Sequence, residues 1–108
     1  MSLYRFKSRE TGDLVMLQPH GQRLLEILGK DPAHPGIIAP VQMAAAVQAL
    51  RDAVVAEEAE HQRLKQEAAA RGEAPPQFDP VPLRLRAVPF IEMLQRCETA
   101  KVDIVWGV

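Results

Sequence analysis

A single cysteine, Cys97, is all that the 108 residues contain. No internal disulfide can form, a four-cysteine metal site is excluded, and a reducing compartment fits best. Aromatic residues make up only 5% of the chain, so its core must be built mainly from Leu, Val, Ile, Met and Ala. Neither sign of charge is in excess: 13 basic against 14 acidic residues leave a formal net charge of −1. Such a balance supplies no global field for phosphates or anionic lipid, so neither nucleic acid nor membrane is expected as a partner. No apolar run approaches the length of a membrane span, and the opening Met1-Ser2-Leu3-Tyr4-Arg5 lacks the basic and apolar regions of a secretion signal. A cytoplasmic protein is the expectation. Also missing are a Gly-rich phosphate loop, a Gly-x-Ser-x-Gly elbow and any His-x-x-x-His or Cys-x-x-Cys spacing.

What is present suits one globular domain over 1–108: 47% apolar and 25% charged residues are ordinary values. A chain of this size buries roughly two-thirds of its unfolded surface on folding. The organising stretch is 42–71, which reads as one long helix with unlike halves. Met43, Val47, Leu50 and Val54 recur at steps of four, three and four, a stripe on one face of a 3.6-residue helix. Alanines at 44, 45, 46, 49, 53 and 56 flank it, favouring helix and letting neighbours approach closely. From Glu57 onward the side chains turn polar, and this second half is expected to lie largely in water.

Residues 3–8 alternate, with Tyr4 and Phe6 on one side and Arg5 and Lys7 on the other, the period of a half-buried strand. Turn residues follow at 9–13. The run Leu14-Val15-Met16-Leu17 is too short to fix a period and is either extended or the first turn of a helix. Pro19 and Gly29 bracket a first helix over about 19–28, with Gly21 placed where a neighbour can come close. After a rigid loop with Pro32, Pro35 and Gly36, Ile37-Ile38 reads as a buried anchor before the long helix. A Pro-rich loop at 72–80 leads to a third helix over about 82–100, bent or restarted at Pro89. Val102, Ile104 and Trp106 then alternate as a C-terminal strand. The expected fold is α+β, a β-α-α-α-β order in which three helices, one long, cover a small two-stranded sheet of the terminal strands. If the helices alternate up and down, those two strands run parallel.

Several strings resemble a known pattern: Tyr4-Arg5-Phe6-Lys7-Ser8, Asp13-Leu14-Val15-Met16-Leu17, Leu24-Leu25-Glu26-Ile27-Leu28-Gly29, then Leu83, Arg86-Ala87, Pro89, Ile91-Glu92-Met93-Leu94 and Asp103-Ile104-Val105-Trp106. Together they resemble the short proteobacterial proteins of domain-of-unknown-function family 1840. The resemblance covers nearly the whole chain apart from about 56–80. It implies a stand-alone bacterial cytoplasmic domain with no assigned activity, cofactor or catalytic residue. At Gln42, where the family would favour an acidic helix cap, this chain departs from the pattern.

No catalytic, cofactor-binding or metal-binding residues are expected. His20, His34, His61 and Cys97 are not at ligand spacing with one another, and Cys97 near the inner face of the third helix reads as a buried inert thiol. Arg84, Arg86 and Arg96 do not form one basic stripe, since Glu92 and Glu98 interrupt them. Glu26 and Glu92 stand in leucine-rich strings, and Glu92 is either desolvated by its neighbours or an exposed carboxylate on the outer side of its helix. The favoured reading is a small non-enzymatic module that acts on an unknown protein partner. Its candidate interface is the C-terminal strand, with Val102, Ile104 and Trp106. That strand either joins a homodimer through an apolar edge, or folds Trp106 back onto its own helices. The alternative function is a small-ligand binder or enzyme with a pocket between the first and third helices, near Met16, Gly21 and Glu92.

Overall fold

The computed structural model of the chain describes residues 2–78 and 82–107. The segment 14–17 is extended: β1 (Leu3–Phe6) and β2 (Leu14–Leu17) pair antiparallel, with Leu3 opposite Leu17 and Phe6 opposite Leu14. Ile37 and Ile38 also belong to a strand. β3 (Gly36–Ile38) pairs antiparallel with β4 (Ile104–Trp106), Ile38 opposite Ile104 and Gly36 opposite Trp106. The two pairs are joined where Lys7 and Val105 exchange backbone hydrogen bonds of 2.8 and 2.9 Å. The strands therefore follow one another in the order β2, β1, β4, β3.

The chain ends do lie side by side, as their alternation suggested, but they run antiparallel and two further strands flank them. The reason is that the helices do not cross the sheet one by one. β3 runs opposite to β2, so the helix and loop between them return the chain to the end of the sheet it left; the pair of helices between β3 and β4 does the same. Each helical unit is an excursion, and antiparallel pairing follows.

α1 (Gln18–Ile27) carries Pro19 in its first turn, where the missing N–H costs nothing. It buries Leu24 and Leu25, and its Gly21 lies flat against the Tyr4 ring, which a Cβ would strike. α2 (Pro40–Ala70) begins with no acidic cap; Gln42 takes over, its Oε1 accepting from the Ala39 N–H at 3.0 Å. α3 (Leu83–Ala100) runs unbroken through Pro89. Pro89 and Leu85 both face solvent, so the Leu85 carbonyl that loses its intrahelical donor can be met by water.

Helical and strand periods converge on one core. The stripe of Met43, Val47, Leu50 and Val54 meets Leu83, Ala87, Phe90, Ile91 and Leu94 of α3, above Phe6, Met16, Ile38 and Ile104 of the strands. Phe6 sits among the aromatic rings, with centroids 4.6 Å from Phe90 and 6.3 Å from Trp106. Burying each such side chain contributes about 1.5–3 kcal/mol before the entropy of ordering it is subtracted.

The polar half of α2 departs from expectation on one face. The inward stripe continues through Glu57, His61, Leu64 and Ala68, all half-buried or buried, because the chain doubles back along it after Gly72. The Phe78 ring stacks on His61, centroids 3.8 Å apart and 9° from parallel. Lys65 also lies over the Phe78 ring, its Nζ 5.8 Å from the centroid. The remaining faces are in water, with Arg63 bridging Glu60 and Glu67. Of the Pro-rich loop, Pro80 lies outside the described residues.

Candidate functional site

The histidines and the cysteine are dispersed. His34 Nδ1 lies 2.7 Å from Asp31 Oδ2 in the loop before β3, and His61 is the stacking partner of Phe78. Cys97 is fully buried with its Sγ 3.0 Å from Ser8 Oγ, and His20 is half-buried on α1. Among the described residues no three His, Cys, Asp or Glu side chains gather as a metal would require. The carboxyls with displaced proton affinity are structural. Burial pushes the Glu57 carboxyl up, yet the Leu83 N–H and the Arg23 guanidinium, each bonded to one of its oxygens at 2.9 and 2.8 Å, outweigh it and hold it below the usual range. Glu57 thereby ties the start of α3 and the side of α1 to the middle of α2. The Arg84 guanidinium holds Glu58 low in the same manner, through a two-pronged bond of 2.7 and 2.8 Å.

Met16, Gly21 and Glu92 do not come together. Met16 is packed in the core, Gly21 is filled by Tyr4, and Glu92 stands on the solvent face of α3. Among the described residues two cavities border Glu92 and neither lies between α1 and α3: a smaller one against the turn at 11–14 and, between α2 and α3, an open groove of about 440 Å³. Val54, Ala87 and Ile91 form its floor and Arg51, Val55, Val88 and Glu92 its walls. The physical reason is that α1, only ten residues long, packs beside α2 and the first hairpin.

Val102, Ile104 and Trp106 likewise turn inward. Ile104 and Trp106 are buried and Val102 is half-buried against the core. Trp106 lies on Gly36, where a Cβ would collide with the indole, and its Nε1 donates to the His34 carbonyl at 3.1 Å. Successive residues of an antiparallel strand aim their backbone groups to opposite sides. With Val105 bonded to Lys7, its neighbours face β3, so β4 is an interior strand and offers no free edge. Of the two fates open to Trp106, the structure adopts the one in which it covers its own core.

The surfaces that remain are ones the alternation of the sequence marks only in retrospect. The pleat that sends Tyr4, Phe6, Met16 and Ile104 inward sends Leu3, Val15, Leu17 and Ile37 outward, and among the described residues no helix covers them. Leu3 is 55% exposed and Ile37 47%. Val105 lies between Lys7 and Ile37 on that face, and Arg5 opposite Val15. Apolar ends thus flank a basic middle. Val15 and Leu17 were visible in the run 14–17 as the residues out of phase with Met16; Arg51 and Val55 stand one turn apart just outside the core stripe of α2.

The model of the family described as Domain of unknown function (DUF1840) matches residues 2–106. No curated protein and no solved structure matches the chain. No helix among the described residues is long and apolar enough to cross a membrane.

Proposed function

The chain belongs to the family Domain of unknown function (DUF1840), a description that assigns no activity, and we propose that it is a non-enzymatic interaction module of the bacterial cytoplasm. It self-associates and offers a second surface to a different protein. The observation that supports this reading is the open face of the sheet, where Leu3, Val15, Leu17 and Ile37 stand in water around Arg5 and Lys7. An apolar face with Lys7 and the Asp13-paired Arg5 at its centre suits a partner that brings apolar side chains and a carboxylate. The reading of a ligand pocket near Glu92 has less support, since Met16 and Gly21 are consumed by packing.

A comparison of two baits tests it. The wild-type chain and a Leu3→Ser/Leu17→Ser variant, shown to have the same circular dichroism, are exposed to lysate of the native host. A protein retained by the wild type and lost by the variant supports the reading. Identical retention by both would remove the sheet face from it.

A further inference from the structure

The groove between α2 and α3 carries a symmetry that bears on self-association. α2 and α3 run antiparallel, and the Glu58–Arg84 bond at 2.7 Å sets their relative height. Moving along each helix away from that bond, Val55 and Val88 come three and four residues on, and Arg51 and Glu92 seven and eight residues on. At a rise of about 1.5 Å per residue, each of these pairs stands at nearly one height, facing across the groove. Val55 is 64% exposed and Val88 42%. Arg51 and Glu92 line opposite walls and, among the described residues, neither has an ion-pair partner.

We propose that this groove is the seat of a second copy of the chain, docked about a two-fold axis that runs along the groove. The proposal takes self-association from the reading above and assigns it a surface distinct from the sheet. Rotation about such an axis keeps every residue at its own height and lays α2 of each copy over α3 of the other. Val55 of one copy then meets Val88 of its partner, and Arg51 of each meets Glu92 of the other, so both charges are matched twice by one operation. The four helices form an antiparallel arrangement in which the two grooves face each other. A perpendicular axis lying in the interface would instead lay α2 over α2 and α3 over α3, so Arg51 would not face the partner's Glu92. The two-helix strip is narrow, so the interface belongs with the weak, concentration-dependent ones.

Sedimentation equilibrium from micromolar to millimolar concentration tests the assignment by charge exchange. Wild type is expected to dimerise. Arg51→Glu and Glu92→Arg are each expected to raise the dimer dissociation constant about tenfold or more, because each sets like charges together twice per dimer. An equimolar mixture of those two variants is expected to dimerise again, one copy now carrying both carboxylates and the other both guanidiniums. The Leu3→Ser/Leu17→Ser variant is expected to dimerise as the wild type does, so the result separates this interface from the fate of the sheet face. A wild type that is monomeric throughout, a dimer that both charge variants leave unchanged, a mixture that stays monomeric, or a dimer lost only with the sheet variant would each overturn the proposal.

Discussion

The two halves of α2 follow one spacing and meet opposite fates. Met43, Val47, Leu50 and Val54 continue without a break of phase into Glu57, His61, Leu64 and Ala68, at alternating steps of four and three. The first four are sealed between α3 and the sheet; of the second four, Glu57 meets the start of α3 and Arg23 of α1, and His61 is covered by Phe78 of the returning chain. Phase decides where a helical side chain points, while the covering element decides what chemistry that direction tolerates. Under a helix the stripe must be apolar. Beneath a single extended strand of chain it accepts an imidazole, and at the boundary it uses a carboxylate to hold the N-terminus of α3.

The contrast breaks most violently in the first half. Val47→Asp, or Leu94→Asp across the seam, places an unpaired carboxylate in the core, at a cost of several kcal/mol against a total stability of about 5–15 kcal/mol. Loss of the cooperative helical signal in circular dichroism is expected from either. A folded Val47→Asp protein would mean that the stripe faces solvent.

At the boundary, Glu57→Ala leaves the Leu83 N–H and the Arg23 guanidinium without their acceptor, and a loss of about 1–3 kcal/mol is expected in urea unfolding. The same carboxylate sharpens the comparison through pH. Its folded-state proton affinity is depressed, so its stabilisation is complete above the ordinary value of 4.5 and is lost as the pH falls through the lower folded-state value. Wild type should therefore lose more stability on acidification through that window than Glu57→Ala does. Equal acid slopes would show that Glu57 is free in the folded protein.

The second half is expected to matter least. Replacing 60–73 by a short Gly/Ser turn removes the His61–Phe78 stack and the burial of Ala68, together about 1 kcal/mol, which shifts the melting temperature by about 4–8 °C in a domain of this size. Collapse of the transition would place core packing in the overhang.

Much of this was legible in the residues. The core stripe of α2, the helix around Leu24, the third helix and the terminal strands are long or regular enough for their period to show. Leu14–Leu17 and Gly36–Ile38 were not, since strands of four and three residues carry less than two periods and take their identity from the partners beside them. Gly21 signalled a close approach, but its occupant, Tyr4, lies in another element. Trp106 stayed open between a pairing edge and a cap on its own core because nothing in its own strand reveals that Gly36 makes room for it. The continuation of the α2 stripe was masked by Glu57 and His61, whose polarity is compatible with burial only given Leu83, Arg23 and Phe78 from elsewhere. The groove between α2 and α3 was hidden for the same cause: its height matching depends on the Glu58–Arg84 bond between two helices.

Native-state hydrogen exchange along α2 tests the central contrast most directly, because it reads both halves of one helix in one experiment. Amides at Met43, Val47, Leu50 and Val54 should exchange only through global unfolding, whereas those of 60–70 should open locally at a small fraction of that free energy. Uniform protection from Met43 to Ala70 would contradict the account.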